Sequence, residues 1–218
     1  MSKIALIAGS TGLIGRQLLS LLIEDPSYSR VISVSRRPTG ISNFKLVEVI
    51  TSFDNLNEVA TQLKADDIFI CLGSTLKKAG SKELFKLYDY SYPLELAKLC
   101  FNNGAKQLSI VSAMGANSDS TFFYSRVKGD LETAVINLGF TATNILRPSL
   151  LIGEREDERT MESMAQQFYK SLGWVFVGPA KKYKAIDGNI VASAMINIAN
   201  SNLNGVTIFD SNEIETKG

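Results

Sequence analysis

The sequence predicts an α/β protein in which a parallel, doubly wound sheet is covered by helices on both faces, giving three layers. Short apolar segments alternate with amphipathic helical segments along most of the chain. The apolar segments lack the polar alternation of half-exposed strands, which is typical of parallel strands buried on both faces. The chain has 218 residues, 45% of them hydrophobic, and no linker-like segment divides it. We therefore expect a single domain over residues 1–218.

The predicted elements follow one another in a regular β-α order. Strands are predicted at residues 4–8, 31–35, 46–50, 68–73, 108–112, 141–146 and 206–209. Helices are predicted at residues 13–24, 54–63, 81–100, 122–138 and 187–200. Asp54 is the expected N-cap of the second helix, and Pro93 should interrupt the third. After residue 153 the periodicity weakens, and we expect a small substrate-side segment at about residues 153–186.

A glycine-rich turn leads from the first strand into the first helix. It consists of Gly9, Ser10, Thr11, Gly12, Leu13, Ile14 and Gly15. Gly9 permits a tight turn, Gly12 lets a pyrophosphate approach the backbone, and Gly15 lets helix and strand pack closely, while the helix N-terminus directs N–H groups at the anion. The G-x-x-G-x-x-G spacing differs from the G-x-G-x-x-G of the standard dinucleotide fingerprint. A glycine turn without a ligand is therefore the alternative.

The end of the second strand indicates which dinucleotide would bind. In this arrangement an acid about 20 positions beyond the glycine turn binds the ribose 2′-hydroxyl of NAD. Here that position is Ser35, which is followed by Arg36 and Arg37, and residues 26–47 contain no acid. A guanidinium suits a 2′-phosphate, which a carboxylate would repel. We predict NADP(H) as the cofactor, with a solvated arginine pair as the alternative.

A candidate catalytic set lies around the fifth strand and the helix that follows it. Tyr124 and Lys128 are four residues apart, so they share one helix face about 6 Å apart along its axis. Ser112 ends the preceding strand, at the sheet edge where parallel sheets bind ligands. Tyrosine can protonate a developing alkoxide if an ammonium stabilises its phenolate, and a serine hydroxyl can hold a carbonyl oxygen. A purely structural role for Tyr124 and Lys128 is the alternative.

Taken together, the glycine turn, Ser112, Tyr124 and Lys128 resemble the short-chain dehydrogenase/reductase superfamily. More narrowly, four segments resemble its atypical branch of Tat-interacting-protein-like oxidoreductases: CLGST at 71–75, KAG at 78–80, YSRVKGDLE at 124–132 and LRP at 146–148. The resemblance extends from about residue 3 to residue 160. Two departures are clear, because typical members carry an asparagine-rich segment in place of CLGST, and Ser52 stands where this branch often has an aspartate near the adenine.

The resemblance implies a Rossmann domain that binds NADP(H). It implies that Tyr124 is the acid/base, that Lys128 holds both this tyrosine and the nicotinamide ribose, and that Ser112 orients the substrate. It also implies two further cofactor contacts. Leu72, Gly73 and Ser74 would line the cofactor, and the loop that follows Arg147 and Pro148 would help to hold the nicotinamide.

The composition excludes several classes of protein. The chain has no histidine, which excludes Ser-His-Asp hydrolases, Cys-His proteases and histidine-based zinc sites, and we predict no metal site. The net charge of +1 gives no sign of a nucleic-acid partner. Two cysteines, no secretory signal and no apolar run of membrane length predict a cytoplasmic protein without membrane contact.

These features favour an NADP(H)-dependent oxidoreductase that acts on a small carbonyl or alcohol. The expected partner is this small-molecule substrate, and the protein is expected to be a monomer or a homodimer. Two alternatives remain open. One is a cofactor-bound sensor or partner-binding protein with little turnover, and the other is an epimerase or dehydratase that uses the same residues.

Overall fold

The computed structural model describes residues 2–152 and 184–218. Its elements are β1 (Lys3–Ala8), α1 (Leu13–Glu24), β2 (Tyr28–Ser35), β3 (Leu46–Ile50), a 3₁₀ helix (Phe53–Gln62), β4 (Asp67–Ile70), α2 (Leu76–Ala79), α3 (Lys82–Lys86), a π-helical turn (Leu87–Ser91), α4 (Tyr92–Asn102), β5 (Gln107–Val111), α5 (Phe123–Ile136), β6 (Ala142–Arg147), β7 (Leu151–Ile152), β8 (Ile186–Asp187), α6 (Gly188–Ala199), β9 (Gly205–Asp210) and α7 (Ser211–Lys217). The predicted substrate-side segment falls mostly on residues 153–183, which lie outside the described residues.

Seven parallel strands form one sheet in the order β3-β2-β1-β4-β5-β6-β9. The order reverses between β1 and β4, so the chain winds outward from the middle of the sheet in both directions. Parallel sheets bind ligands in the crevice at such a reversal, beyond the carboxyl ends of the strands. The predicted fold class is therefore confirmed, and the reversal identifies the edge on which a site would lie.

Both faces of the sheet are covered by helices, because successive side chains of a strand point to opposite faces. In β1, Ile7 packs into a core shared with α1 and α6, whereas Leu6 packs into a second core shared with the 3₁₀ helix, α4 and α5. All of β1 from Ala5 to Ala8 is inaccessible to solvent. Among the described residues, no helix is long and apolar enough to span a bilayer.

Two predicted helices differ from those observed. The segment predicted at 81–100 is broken into α3, the π-helical turn and α4, and Pro93, which was expected to kink or interrupt it, lies in the first turn of α4. The segment predicted at 54–63 is a 3₁₀ helix, and its N-cap is Ser52, whose hydroxyl accepts a 3.3 Å hydrogen bond from the N–H of Asp54. The C-terminal helix α7 has no counterpart in the sequence prediction.

Helix α5 lies unusually close to the loop that precedes it. A Cβ on Gly129 would lie 2.2 Å from the nitrogen of Ser118, which no real contact allows. The N–H of Asn117 also donates a 3.0 Å hydrogen bond to the carbonyl of Ser125 on α5. Gly129 therefore fixes how far α5 stands from the loop that follows β5, and with it the positions of the side chains at the start of the helix.

We expect Gly129→Ala to lower the free energy of unfolding by about 1–3 kcal/mol, because the added methyl group overlaps backbone that must then shift. Urea unfolding followed by circular dichroism measures this loss. The matched control is Asp130→Ala, a substitution at the next position of the same helix, which should change the free energy of unfolding by less than about 0.5 kcal/mol. Equal stability of the two variants would contradict the close approach.

Candidate functional site

The glycine turn between β1 and α1 is held against the end of β4. Gly9 has φ +87°, and a Cβ on it would lie 2.6 Å from the carbonyl oxygen of Cys71. A Cβ on Gly15 would lie 2.0 Å from the carbonyl oxygen of Gly9. Both positions therefore require glycine for reasons internal to the fold.

Gly12 differs from the other two glycines. Among the described residues, a Cβ on Gly12 would come within 4 Å of one atom, the carbonyl oxygen of Gly9 at 3.3 Å, and its backbone is extended at φ −84°. A Cβ at Gly12 would thus require the Gly9 carbonyl to shift by a few tenths of an ångström, whereas a Cβ at Gly9 or Gly15 would overlap backbone. The space in front of Gly12 suits the close approach of a bound group to the backbone.

The first turn of α1 is built to receive an anion. Its N-cap, Gly12, makes no side-chain capping bond, and the turn carries no acidic residue. The N–H groups of that turn and the positive end of the helix dipole therefore face the crevice.

The hydroxyls of Ser10 and Ser33 are buried and 2.7 Å apart, which ties the glycine turn to β2. Thr11 is exposed, Leu13 is half-buried beside Gly188, and Ile14 is buried in the core.

Arg36 and Arg37 are exposed directly after β2, beside the glycine turn. The Ser35 hydroxyl donates a 2.7 Å hydrogen bond to the carbonyl of Arg37, which fixes the backbone of this corner. Tyr92 lies near Arg36 and donates a 2.6 Å hydrogen bond to Asp54. Burial and this bond raise the pKa of the Tyr92 phenol to about 12, and the nearby Arg36 guanidinium acts in the opposite direction. Both arginines therefore lie at the corner where the chain leaves β2, next to the glycine turn.

The side chains of Tyr124 and Lys128 project from the first turns of α5, beside the segment that follows β4. The Tyr124 ring packs against Phe85 of α3, with the ring centroids 5.4 Å apart. Lys128 is 4% exposed, and its Nζ lies 2.8 Å from Oδ1 of Asp89, which is fully buried. The second carboxylate oxygen of Asp89 accepts a 2.8 Å hydrogen bond from the N–H of Ser74.

Asp89 thus joins α5 to the predicted cofactor-lining segment, because Gly73 also lies against the ion pair. A Cβ on Gly73 would be 3.2 Å from Asp89 Oδ1 and 3.5 Å from Lys128 Nζ. Leu72 is half-buried and packs on the neighbouring core. Sequence reasoning assigned no role to Asp89. The available signal was an acid flanked by two aromatic residues, Tyr88 and Tyr90.

Burial and charge act in opposite directions on the ionisable groups of this site. Burial raises the pKa of Tyr124; the Lys128 ammonium lowers it, and the Asp89 carboxylate raises it, with a net upward shift. Burial also raises the pKa of Asp89, against the Lys128 ammonium and the N–H of Ser74, which favour the carboxylate. Tyr124 is therefore held as a neutral phenol that can donate a proton.

Ser112 directly follows β5, but its hydroxyl is engaged elsewhere. It donates a 2.5 Å hydrogen bond to Oε1 of Glu132, which is 4% exposed on α5. The Arg147 guanidinium binds the same carboxylate through Nε, 3.0 Å from Oε1, and through a terminal nitrogen 2.5 Å from Oε2. These bonds to Glu132 raise the pKa of Arg147.

The predicted roles of Ser112 and Arg147 stay predictions, and the structure gives both side chains a partner within the protein. The Arg147 fork is occupied by Glu132, so the structure gives this side chain a partner within the protein in place of a cofactor. The Ser112 hydroxyl can accept a hydrogen bond but cannot donate one to a ligand while it bonds to Glu132. Pro148 is buried, and its carbonyl accepts a 3.0 Å hydrogen bond from the N–H of Met114, which joins the loops after β5 and β6.

The described residues therefore combine an uncapped helix N-terminus, two exposed arginines and a neutral phenol beside a buried ammonium at one edge of the sheet. They contain no cluster of three or more side chains suited to a metal ion. The open backbone at Gly12 and the uncapped first turn of α1 fit a dinucleotide pyrophosphate.

Solved structures with the same fold include two that bind nucleotides. MoeE5 in complex with UDP-glucose and NAD matches with a TM-score of 0.70 and 16% identity, over 96% of this chain and 79% of that one. The UDP-N-acetylglucosamine 4-epimerase from Methanobrevibacter ruminantium M1, in complex with UDP-N-acetylmuramic acid, matches with a TM-score of 0.71 and 19% identity, over 96% of this chain and 76% of that one. At these identities the likeness concerns the fold.

Relatives of higher identity occur in fungi and correct one expectation. The mitochondrial protein fmp52 of Emericella nidulans is 35% identical over 212 residues, which cover 94% of this chain and 90% of that protein. The mitochondrial protein FMP52 of Candida albicans is 34% identical over 207 residues, covering 91% and 89%. The predicted cytoplasmic location is therefore wrong. A nearly neutral charge and two cysteines are compatible with either compartment, so composition could not distinguish them.

The family model of the NAD-dependent epimerase/dehydratase family matches residues 5–188, which include every residue assigned to the site above. This family lies within the short-chain dehydrogenase/reductase superfamily that the motifs indicated, while the narrower likeness to the Tat-interacting-protein-like branch stays a prediction. The chain belongs to the NAD-dependent epimerase/dehydratase family of the short-chain dehydrogenase/reductase superfamily.

Proposed function

We propose that the chain is an NADP(H)-dependent oxidoreductase that interconverts a small carbonyl compound and its alcohol. The observation that carries this proposal is the neutral phenol of Tyr124 beside the buried Lys128 ammonium, at the sheet edge that also carries the glycine turn. When bound, NADP(H) supplies or accepts the hydride. A sensor or binding module would need the anion-binding turn but would have no need of a proton donor at this position.

The residues that would hold the cofactor lie along the edge from β2 to β5. The N–H groups after Gly12 would bind the pyrophosphate, and Arg36 and Arg37 would bind a 2′-phosphate. The segment 72–74 would line the nicotinamide half, beside Lys128. This assignment leaves out the Arg147 side chain, because Glu132 occupies it.

The protein's own contribution to the reaction is a proton and a fixed geometry. In the direction of reduction, the Tyr124 hydroxyl donates its proton to the substrate oxygen, and the Lys128 ammonium stabilises the phenolate that remains. Ser112 can accept a hydrogen bond from a substrate hydroxyl while its own O–H donates to Glu132. The ring of Phe85 shields one side of Tyr124 from water.

A second candidate function is an epimerase or dehydratase with the same residues. The family description and the nucleotide-sugar ligands of the related folds favour it. The two candidates differ in cofactor turnover, because an epimerase returns the hydride to its substrate and changes no free nucleotide. We also infer a mitochondrial location, which rests on the names of the fungal relatives.

We expect Gly12→Ala to raise the Kd for NADPH by about tenfold or more, because the methyl group would occupy the space that the pyrophosphate needs. Its thermal stability should fall only slightly, since the Gly9 carbonyl has to move by only a few tenths of an ångström. Isothermal titration and thermal unfolding measure the two quantities. Ser20→Ala, on the exposed face of the same helix, is the control, and unchanged NADPH affinity in Gly12→Ala would remove the turn from the binding site.

We expect Arg36→Gln or Arg37→Gln to weaken NADPH by about ten- to a hundredfold, because the variant loses a charge-assisted hydrogen bond to the 2′-phosphate. Affinity for NADH should change by less than about threefold. Parallel titrations of both nucleotides measure the selectivity. Arg30→Gln, toward the other end of β2, is the matched control. Equal effects on NADPH and NADH, or none in either variant, would contradict a role in 2′-phosphate recognition.

We expect Tyr124→Phe to lower turnover by about 10²–10⁴-fold while the Kd for NADPH changes by less than about threefold, because the proton donor is lost and the ring remains. A panel of carbonyl compounds, followed by NADPH oxidation, gives the turnover. Tyr88→Phe, in the neighbouring aromatic cluster, should retain it. Saturable NADPH binding by the wild type without oxidation on any compound would argue against the oxidoreductase and for a sensor.

A further inference from the structure

A buried carboxylate lies where the proposed mechanism needs only a cation. Asp89 is on the π-helical turn between α3 and α4 and is fully inaccessible to solvent. One of its oxygens lies 2.8 Å from Lys128 Nζ, and the other accepts the N–H of Ser74. Burying a carboxylate is unfavourable unless it is paired and hydrogen-bonded, and here Oδ1 is ion-paired while Oδ2 is hydrogen-bonded.

The geometry points to Asp89 as a positioning residue that anchors the Lys128 ammonium and offsets its charge at Tyr124. Its consequence for proton transfer rests on the proposed function, whereas the titration of Tyr124 that tests it does not. Asp89 lies on the π-helical turn, from which its carboxylate contacts both α5 and the segment after β4. One carboxylate thus fixes the ammonium and the cofactor-lining segment relative to each other.

The charged surroundings of Tyr124 leave few other groups for this role. Among the described residues, Lys128 from its own helix and Asp89 from the π-helical turn are the charged groups that shift the pKa of Tyr124. From α3, Lys82 lies over the ring of Phe123 and Lys86 over the ring of Tyr90, so both cations face aromatic neighbours. Arg126 on α5 also lies over the Phe123 ring.

The consequence is a bias in the direction of proton transfer. With Lys128 alone, the site would hold one positive charge and would favour the phenolate of Tyr124. With Asp89 ionised, the pair is neutral, and burial keeps the phenol protonated. The site is then suited to donate a proton, as carbonyl reduction requires, over a wider range of pH than a tyrosine-lysine pair without the carboxylate.

The test is the ionisation of Tyr124 in the intact protein without substrate or nucleotide, followed by tyrosinate absorbance. Each titration is repeated with Tyr124→Phe in the same background, so that the difference isolates one of the 7 tyrosines. Asp89→Asn keeps the shape and the hydrogen-bond acceptor for Ser74 but removes the charge. We expect the pKa of Tyr124 to fall by about one unit or more in Asp89→Asn relative to the wild type.

Asp54→Asn is the matched control, because Asp54 accepts a hydrogen bond from a different tyrosine, Tyr92. It should leave the titration of Tyr124 unchanged. If Asp89 were merely structural, Asp89→Asn would lower the melting temperature without moving the titration of Tyr124, and that outcome would overturn the proposal. The titration measures no turnover. An unchanged pKa of Tyr124 in Asp89→Asn would therefore overturn this inference without bearing on the proposed oxidoreductase activity.

A double variant keeps the proposal testable if Asp89→Asn does not fold. In Asp89→Asn/Lys128→Met both charges are absent, so no buried ion is left without its partner. If Asp89 offsets Lys128, the pKa of Tyr124 in this variant should lie within about half a unit of the wild-type value. A rise of more than about one unit would mean that the ammonium acts uncompensated in the wild type, which would overturn the proposal.

Discussion

The close contact between the glycine turn and the backbone around it is the constraint on which the structure depends. Gly9 leaves no room for a side chain beside the carbonyl of Cys71, and Gly15 leaves none beside the carbonyl of Gly9. The start of α1 is therefore fixed relative to the ends of β1 and β4. Because the strand order reverses between these two strands, the same contact fixes the edges of the crevice.

Two buried ion pairs then set the position of α5 against this crevice. Lys128 pairs with Asp89, and one helical turn later Glu132 pairs with Arg147 at the end of β6. Such pairs contribute little net stability, because desolvation offsets much of their attraction, but breaking either one would leave a buried charge unpaired. Their effect on α5 itself is geometric. They hold the helix that carries Tyr124 between the segments that follow β4 and β6.

The sequence allowed the fold and part of the site to be predicted, because these features depend on local patterns. The glycine spacing after an apolar strand and the four-residue separation of Tyr124 and Lys128 are both visible in a short stretch of chain. The partners of Ser112, Lys128 and Arg147 could not be predicted, since each lies on a different element and depends on how the helices pack. Asp89 was left without a role for the same reason, because its partners Lys128 and Ser74 lie on other elements.

A crystal structure of the protein with NADPH tests the central claim most directly. The account predicts a pyrophosphate within hydrogen-bonding distance of the N–H groups at the start of α1, with the nicotinamide on the side of Tyr124 and Lys128. Nucleotide bound at another surface, or no nucleotide at this edge of the sheet at saturating concentration, would contradict it.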